Sequence, residues 1–221
     1  LGPESLYYFF KKKIKKNFYF LNNIDQQKLL EIKKKINIKK SLFIVMSKSG
    51  NTIETISNFL SFKILKKNLI IISEKRENFL NNLAEKNKIF FLKHNPSISG
   101  RYSVLSEVGL IPAHLMGINI YQLRKNLKKY LTKNGNILLR ENALKLATFL
   151  KNKKYSNLVF LNYSPKLEKF LYWLQQLIAE SLGKKKLGFL PVISNVPKDH
   201  HSLLQLYIDG PKDKIFFIFD V

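Results

Sequence analysis

The chain has 221 residues, 45% of them hydrophobic, enough to bury a core in one large domain or two small ones. It has no cysteine, which excludes disulfides and thiolate chemistry and fits a reducing, cytoplasmic setting. The net charge is +24, from 39 basic against 15 acidic residues, but only Arg76, Arg101, Arg124 and Arg140 are arginines and the lysines fall in scattered runs such as KKKIKK and KNKK. Lysine spread in this way suits solvated faces better than bidentate recognition of bases, so nucleic acid is not the expected partner. No apolar run approaches the roughly 20 residues that span a bilayer, and no membrane is expected either.

LGPES opens the chain as a turn into a helix, with Pro3 suited to a first helical position. NFYFL (17–21) reads as a short strand and 25–36 as a helix with apolar positions at Leu29, Leu30, Ile32 and Ile36. A buried strand follows at 42–46, a helix at 52–65, a strand at 69–73, a helix at 77–86 and a strand at 89–92. Apolar strands separated by helices indicate a parallel sheet in an α/β fold. Helices are predicted over 105–116, despite Gly109 and Pro112, and over 121–131. TKNGN (132–136) is a plausible boundary. Beyond it come a helix (137–150), a strand (158–161), a helix (165–182), a long irregular segment (183–198), a short helix (202–206) and a strand (214–221).

The stretch LFIVMSKSGNTIET ends an apolar strand in hydroxyls and one lysine, then starts a helix. In open parallel sheets, ligands bind beyond the carboxyl ends of strands. The first N–H groups of a helix lack partners and favour an anion. Ser47, Ser49 and Thr52 supply hydroxyls, Lys48 a charge, and Gly50 a close backbone approach. Neither the P-loop nor the dinucleotide fingerprint is present, so the expected anion is a single phosphate on a small molecule. The alternative is a hydroxyl-rich helix cap without a ligand.

SKSGNTIET resembles the phosphate-binding loop of sugar isomerase (SIS) domains. SGRYSVLSEVGLIPAHLMGI (99–118) resembles the first signature of the glucose-6-phosphate isomerase family, usually G-G-R-[FY]-S. QQLIAESLGK (175–184) resembles the second, built around E-S-x-G-K, and DHHSLLQLYIDGP (199–211) a later Q-H-S-x-x-Q-L segment. The four matches follow the family's order over nearly the whole chain. Ser99 departs from the first glycine of G-G-R, and His200 from the glutamine before the family's histidine. The family also has a G-I-G-G-S-type loop ahead of LGP and a C-terminal helix with a lysine used in its chemistry. The resemblance therefore implies an internal portion of the enzyme, weakly active or inactive by itself.

The resemblance implies a three-layer α/β/α sandwich with a parallel sheet and two SIS-type, doubly wound subdomains: 1–131, without its first strand, and 132–221. It implies interconversion of glucose 6-phosphate and fructose 6-phosphate, in glycolysis and gluconeogenesis, by proton transfer through an enediolate. No cofactor is needed, and the four histidines lack the spacing of a metal site. Glu180 is the implied base, on a helix face with Leu177 and Trp173 where burial is expected. Gln176, four residues earlier, shares that face and is an implied substrate contact, as is Gly100. Arg101 is implied to stabilise the enediolate. His201 is implied to open the sugar ring in the active site of a neighbouring subunit, which makes a homodimer part of the mechanism; His200 beside it is the alternative. His94 and His114 show no partner pattern and read as structural. A non-catalytic phosphosugar-binding SIS module is the competing function, and acceptance of mannose 6-phosphate stays open.

Overall fold

The computed structural model describes residues 1–132, 134–152 and 154–221. Lys133, inside the expected TKNGN boundary, and Lys153, inside the KNKK run, lie outside the described residues. Two compact units divide the chain: Leu1–Ile14 with Ala113–Val221, and Lys15–Pro112. This division is discontinuous in sequence, unlike the expected one at 131/132. Its first segment is α1 (Gly2–Phe10), with Pro3 in the first turn.

In the Lys15–Pro112 unit, α2 (Gln26–Lys35) is capped by Asp25, whose carboxylate accepts from Lys28 N at 2.9 Å. Strand β1 (Phe43–Met46) leads to α3 (Ile53–Leu60), β2 (Leu69–Ser73), α4 (Phe79–Asn87) and β3 (Phe90–Lys93). The strands form one parallel sheet in the order β1-β2-β3, with Val45 opposite Ile71 and Ile71 opposite Phe91. Val45, Leu69 and Ile71 pack with Leu80 and Ala84 of α4 and with Phe59 of α3. Ile72, on the opposite face, is buried too. Burial of both faces is why the central strand β2 reads as an unbroken apolar run, whereas β3, at the edge, leaves Phe90 exposed. A 3₁₀ helix over Gly100–Leu105 precedes α5 (Glu107–Leu115), which runs through Pro112 across the division between the units.

In the other unit, α6 (Ile120–Arg124), α7 (Leu127–Leu131) and α8 (Ile137–Asn152) precede β4 (Asn157–Asn162). Then come α9 (Glu168–Leu182), β5 (Leu190–Asn195), α10 (His200–Asp209) and β6 (Lys214–Phe219). The sheet is parallel, in the order β5-β4-β6, with Phe160 between Ile193 and Phe217. Leu158, Phe160, Leu171 and Phe189 form its buried core. α1 packs on α9, where Lys169 lies over the Tyr8 and Tyr172 rings. Each unit is thus a parallel sheet flanked by helices, in keeping with the expected α/β/α class.

Four expectations are corrected. Residues 17–21 are irregular, because no strand offers that apolar run a ladder to join. The segment 183–198 is not wholly irregular, since it contains β5. Pro191 hid this strand, and it is tolerated because β5 lies at the sheet's edge. α3 ends at Leu60 instead of residue 65, where the Ser61 hydroxyl bonds back to Ser57 O at 2.9 Å. The helix expected over 202–206 is longer, His200–Asp209.

Asp213 ties the start of β6 to the start of β4. Its Oδ2 accepts from Asn157 Nδ2 at 2.9 Å and Ser156 Oγ at 3.1 Å, and its Oδ1 from Lys214 Nζ at 2.7 Å. The Lys214 hydrogen bond foremost, helped by Ser156 and opposed by desolvation, holds the carboxyl below its usual value. A depressed folded value means that this contribution is present above the unfolded value, about 3.9, and is lost as pH falls through the folded one. Urea unfolding should therefore show Asp213→Asn less stable than wild type at neutral pH. The gap should close in acid below the ordinary carboxylate range.

Candidate active site

The three strands of the Lys15–Pro112 unit end together. Ser47 N donates to Ile72 O at 3.1 Å, Glu74 N to Lys48 O at 3.2 Å and His94 N to Ser73 O at 2.7 Å. Ser47, Glu74 and His94 thus mark one carboxyl-terminal edge, and all three are buried.

The SKSGNT loop leaves that edge and its hydroxyls converge. Ser47 Oγ lies 2.7 Å from Thr52 Oγ1 and 3.4 Å from Ser49 Oγ. Gly50 N donates to Ser47 Oγ at 3.1 Å and Asn51 N to Ser49 Oγ at 3.3 Å. Thr52 occupies the cap position of α3, yet its side chain makes no capping bond. The simple helix-cap alternative is therefore not what its hydroxyl does. The neighbouring helix is treated differently. Asn51 Oδ1 accepts from Phe79 N at 2.8 Å, Gly50 O from Leu80 N at 3.2 Å and Asn78 Oδ1 from Asn81 N at 2.9 Å. The loop thus satisfies the first N–H groups of α4 and leaves the hydroxyl cluster beside the start of α3.

Lys48 plays a different part from the expected one. Its ammonium donates to Pro96 O at 2.9 Å and Ile98 O at 3.0 Å and lies 3.4 Å from the Glu74 carboxylate, which Arg76 also pairs at 3.0 Å. Two carbonyls accept from it and the carboxylate is paired with its charge. The lysine therefore clamps the loop to the 95–98 turn, and its direct charge is directed to these partners. Gly100 is exposed at the start of the 3₁₀ turn, and the half-buried Arg101 guanidinium lies 4.8 Å from the centroid of the Tyr102 ring.

Gln176, Glu180 and His201 belong to the other unit. The adjacent glutamines separate in role. Gln175 Nε2 donates to Pro191 O at 2.8 Å, tying α9 to β5, whereas Gln176 Nε2 donates to Glu180 Oε1 at 2.8 Å. Glu180 lies in the last turn of α9 and is exposed, which corrects the expected apolar burial. Trp173 and Leu177 are half-buried earlier on the helix, but beyond Glu180 the chain turns outward through exposed Lys184–Leu187. His200 packs edge-on against Tyr163, ring centroids 6.2 Å apart, while His201 is exposed on the first turn of α10. Among the described residues no group of three or more His, Cys, Asp or Glu could hold a metal ion, and no helix is long and apolar enough to cross a membrane.

Glu74, Asn78, His94 and Glu107 complete the surroundings of the loop, and sequence reasoning passed over their part in it. Only Asn78 carried a usable signal, a polar residue just before a helix. Gly50 has φ +72°, and a Cβ there would lie 1.9 Å from Asn78 Oδ1. Gly50→Ala should cost at least about 1–2 kcal/mol from the left-handed backbone alone, read by urea unfolding. It should also displace Asn78 from the start of α4, read by amide exchange at residues 79–81.

A family model described as phosphoglucose isomerase matches residues 1–188. The glucose-6-phosphate isomerase of Methanocaldococcus jannaschii is 36% identical over 97% of this chain and 56% of its own length. That of Campylobacter jejuni is 33% identical over 93% of this chain and 53% of its own. The crystal structure of a hypothetical protein from Thermus thermophilus superposes with a TM-score of 0.84 at 27% identity, covering 98% of this chain and 56% of that one. The chain thus spans about half the length of the relatives it matches. Its match to the family model runs from the first helix through the second signature, and the chain belongs to the phosphoglucose isomerase family.

Proposed function

We propose that the chain carries the phosphate-holding loop and the proton-transferring carboxylate of a glucose-6-phosphate isomerase. The observation that supports this most is the uncapped start of α3 with the hydroxyls of Ser47, Ser49 and Thr52 gathered beside it. Backbone N–H groups at a helix start, together with nearby hydroxyls, suit a phosphate monoester. In this reading Lys48 acts through its backbone and its clamp. Gly100 lets substrate approach the backbone, and Arg101 balances the charge of the enediolate.

Glu180 removes the proton from carbon 2 of the open aldose, and the electrons move into the enediolate. The same carboxyl returns the proton to carbon 1, and the hydroxyl proton of oxygen 2 passes to oxygen 1, to give the ketose. The Gln176 amide, already bonded to one carboxylate oxygen, orients Glu180 and touches substrate. His201 opens the ring; the packing of His200 on Tyr163 favours His201 for that part. We assign the two SIS-type domains to 1–131 and 132–221 and expect a cytoplasmic homodimer that needs neither cofactor nor nucleic acid.

Titration with glucose 6-phosphate should move the amide resonances of residues 47–54, and glucose should not. Replacing both Ser49 and Thr52 by Ala should weaken that binding about a hundredfold. In a coupled assay from fructose 6-phosphate, run on the chain extended to the length of its relatives, Glu180→Gln should lower kcat by about 10²–10⁴ with little change in KM. Binding of the sugar phosphate by the extended chain without any turnover would leave the non-catalytic phosphosugar-binding module as the function.

A further inference from the structure

His94 and Glu107 belong to none of the roles above, yet they are joined to the loop through one carbonyl. His94 follows β3 and is 1% exposed. Its Nε2 lies 3.0 Å from Ile98 O, and its Nδ1 meets Glu107 Oε1 in a short contact. Ile98 O is the same oxygen that accepts from Lys48 Nζ at 3.0 Å. Ile98 O can only accept, so Nε2 is the donor toward it, while Nδ1 faces the Glu107 carboxyl; the buried ring bridges the two.

We propose that His94 and Glu107 are a positioning pair for the phosphate site; the proposal rests on the function given above. The ionisable groups in this cluster are His94, Lys48 and Arg76, with Glu107 and Glu74 facing them. The Ile98 carbonyl takes one hydrogen bond from the lysine and one from the imidazole, which together use both its lone pairs. It cannot turn without releasing Lys48, and Lys48 is what ties the SKSGNT loop to the 95–98 turn. The pair also closes the segment 94–107 on itself, and that segment carries Gly100 and Arg101. Removing the Glu107 carboxyl therefore loosens the phosphate loop and the Arg101 segment together, although neither His94 nor Glu107 touches substrate.

The ring itself provides the first test. In the ¹⁵N-histidine-labelled wild-type chain, saturation with glucose 6-phosphate should shift the signals of both ring nitrogens of His94. Signals blind to the ligand would overturn the proposal. The second test is Glu107→Leu, which removes the partner of Nδ1 and should keep a melting temperature near that of wild type while weakening glucose 6-phosphate about tenfold. A lowered melting temperature with unchanged affinity would mark the pair as merely structural. If Glu107→Leu fails to fold, the wild-type ring spectra decide. Failure of the wild type to bind glucose 6-phosphate would instead count against the proposed function, a distinct outcome.

Discussion

Three parallel strands in register, β1, β2 and β3, end at one edge, and the arrangement of the candidate site follows from that. Parallel strands slant their ladder bonds forward, so the residues just past each strand still find a backbone partner on the next. Ser47, Glu74 and His94 each continue the pairing by one bond. The chain must then leave the sheet, and it does so where three side chains of different chemistry are already close. The site's polar character is thus anchored to apolar strands whose cores, Val45, Leu69 and Ile71, leave little room for movement.

Beyond that edge, hydrogen-bond satisfaction determines which groups are committed and which are left for a ligand. Buried Glu74, Asn78 and His94 all have partners, as buried polar groups must. Asn78 bridges Glu74 O, Arg76 O and the N–H of Asn81, and it needs a neighbour without a side chain, which is Gly50. The start of α4 is thereby sealed. The start of α3 gathers hydroxyls without a capping bond, and that asymmetry between two helix starts is what supports the proposed anion site at one of them.

The sequence showed much of this. Unbroken apolar runs at 42–46, 69–73 and 89–92, separated by helical patterns, gave the parallel sheet, although only β2 is covered on both faces. The hydroxyl-rich turn showed where a ligand could sit, and the spacing of Gln176 and Glu180 put them on one helix face, where they bond. Other features depended on neighbours. NFYFL has strand composition but no partner strand, whereas β5 contains Pro191 and is nevertheless a strand, because an edge tolerates it. In β6 the same apolar run divides into inward Ile215 and Phe217 and exposed Ile218, which composition cannot separate.

By itself the sequence determined most of the element types and the hydroxyl loop, because these rest on periodicity and on the chemistry of short motifs; the residues offered for proton transfer came from its resemblance to a family. Only the tertiary structure decided that Lys48 points its ammonium at carbonyls from residues 96 and 98, that Glu180 is exposed, and that His94 is buried between Ile98 and Glu107. The reason is range. A lone histidine or lysine carries no local signal of its partner, and a bond to a residue about 50 positions away exists only after the strands have paired.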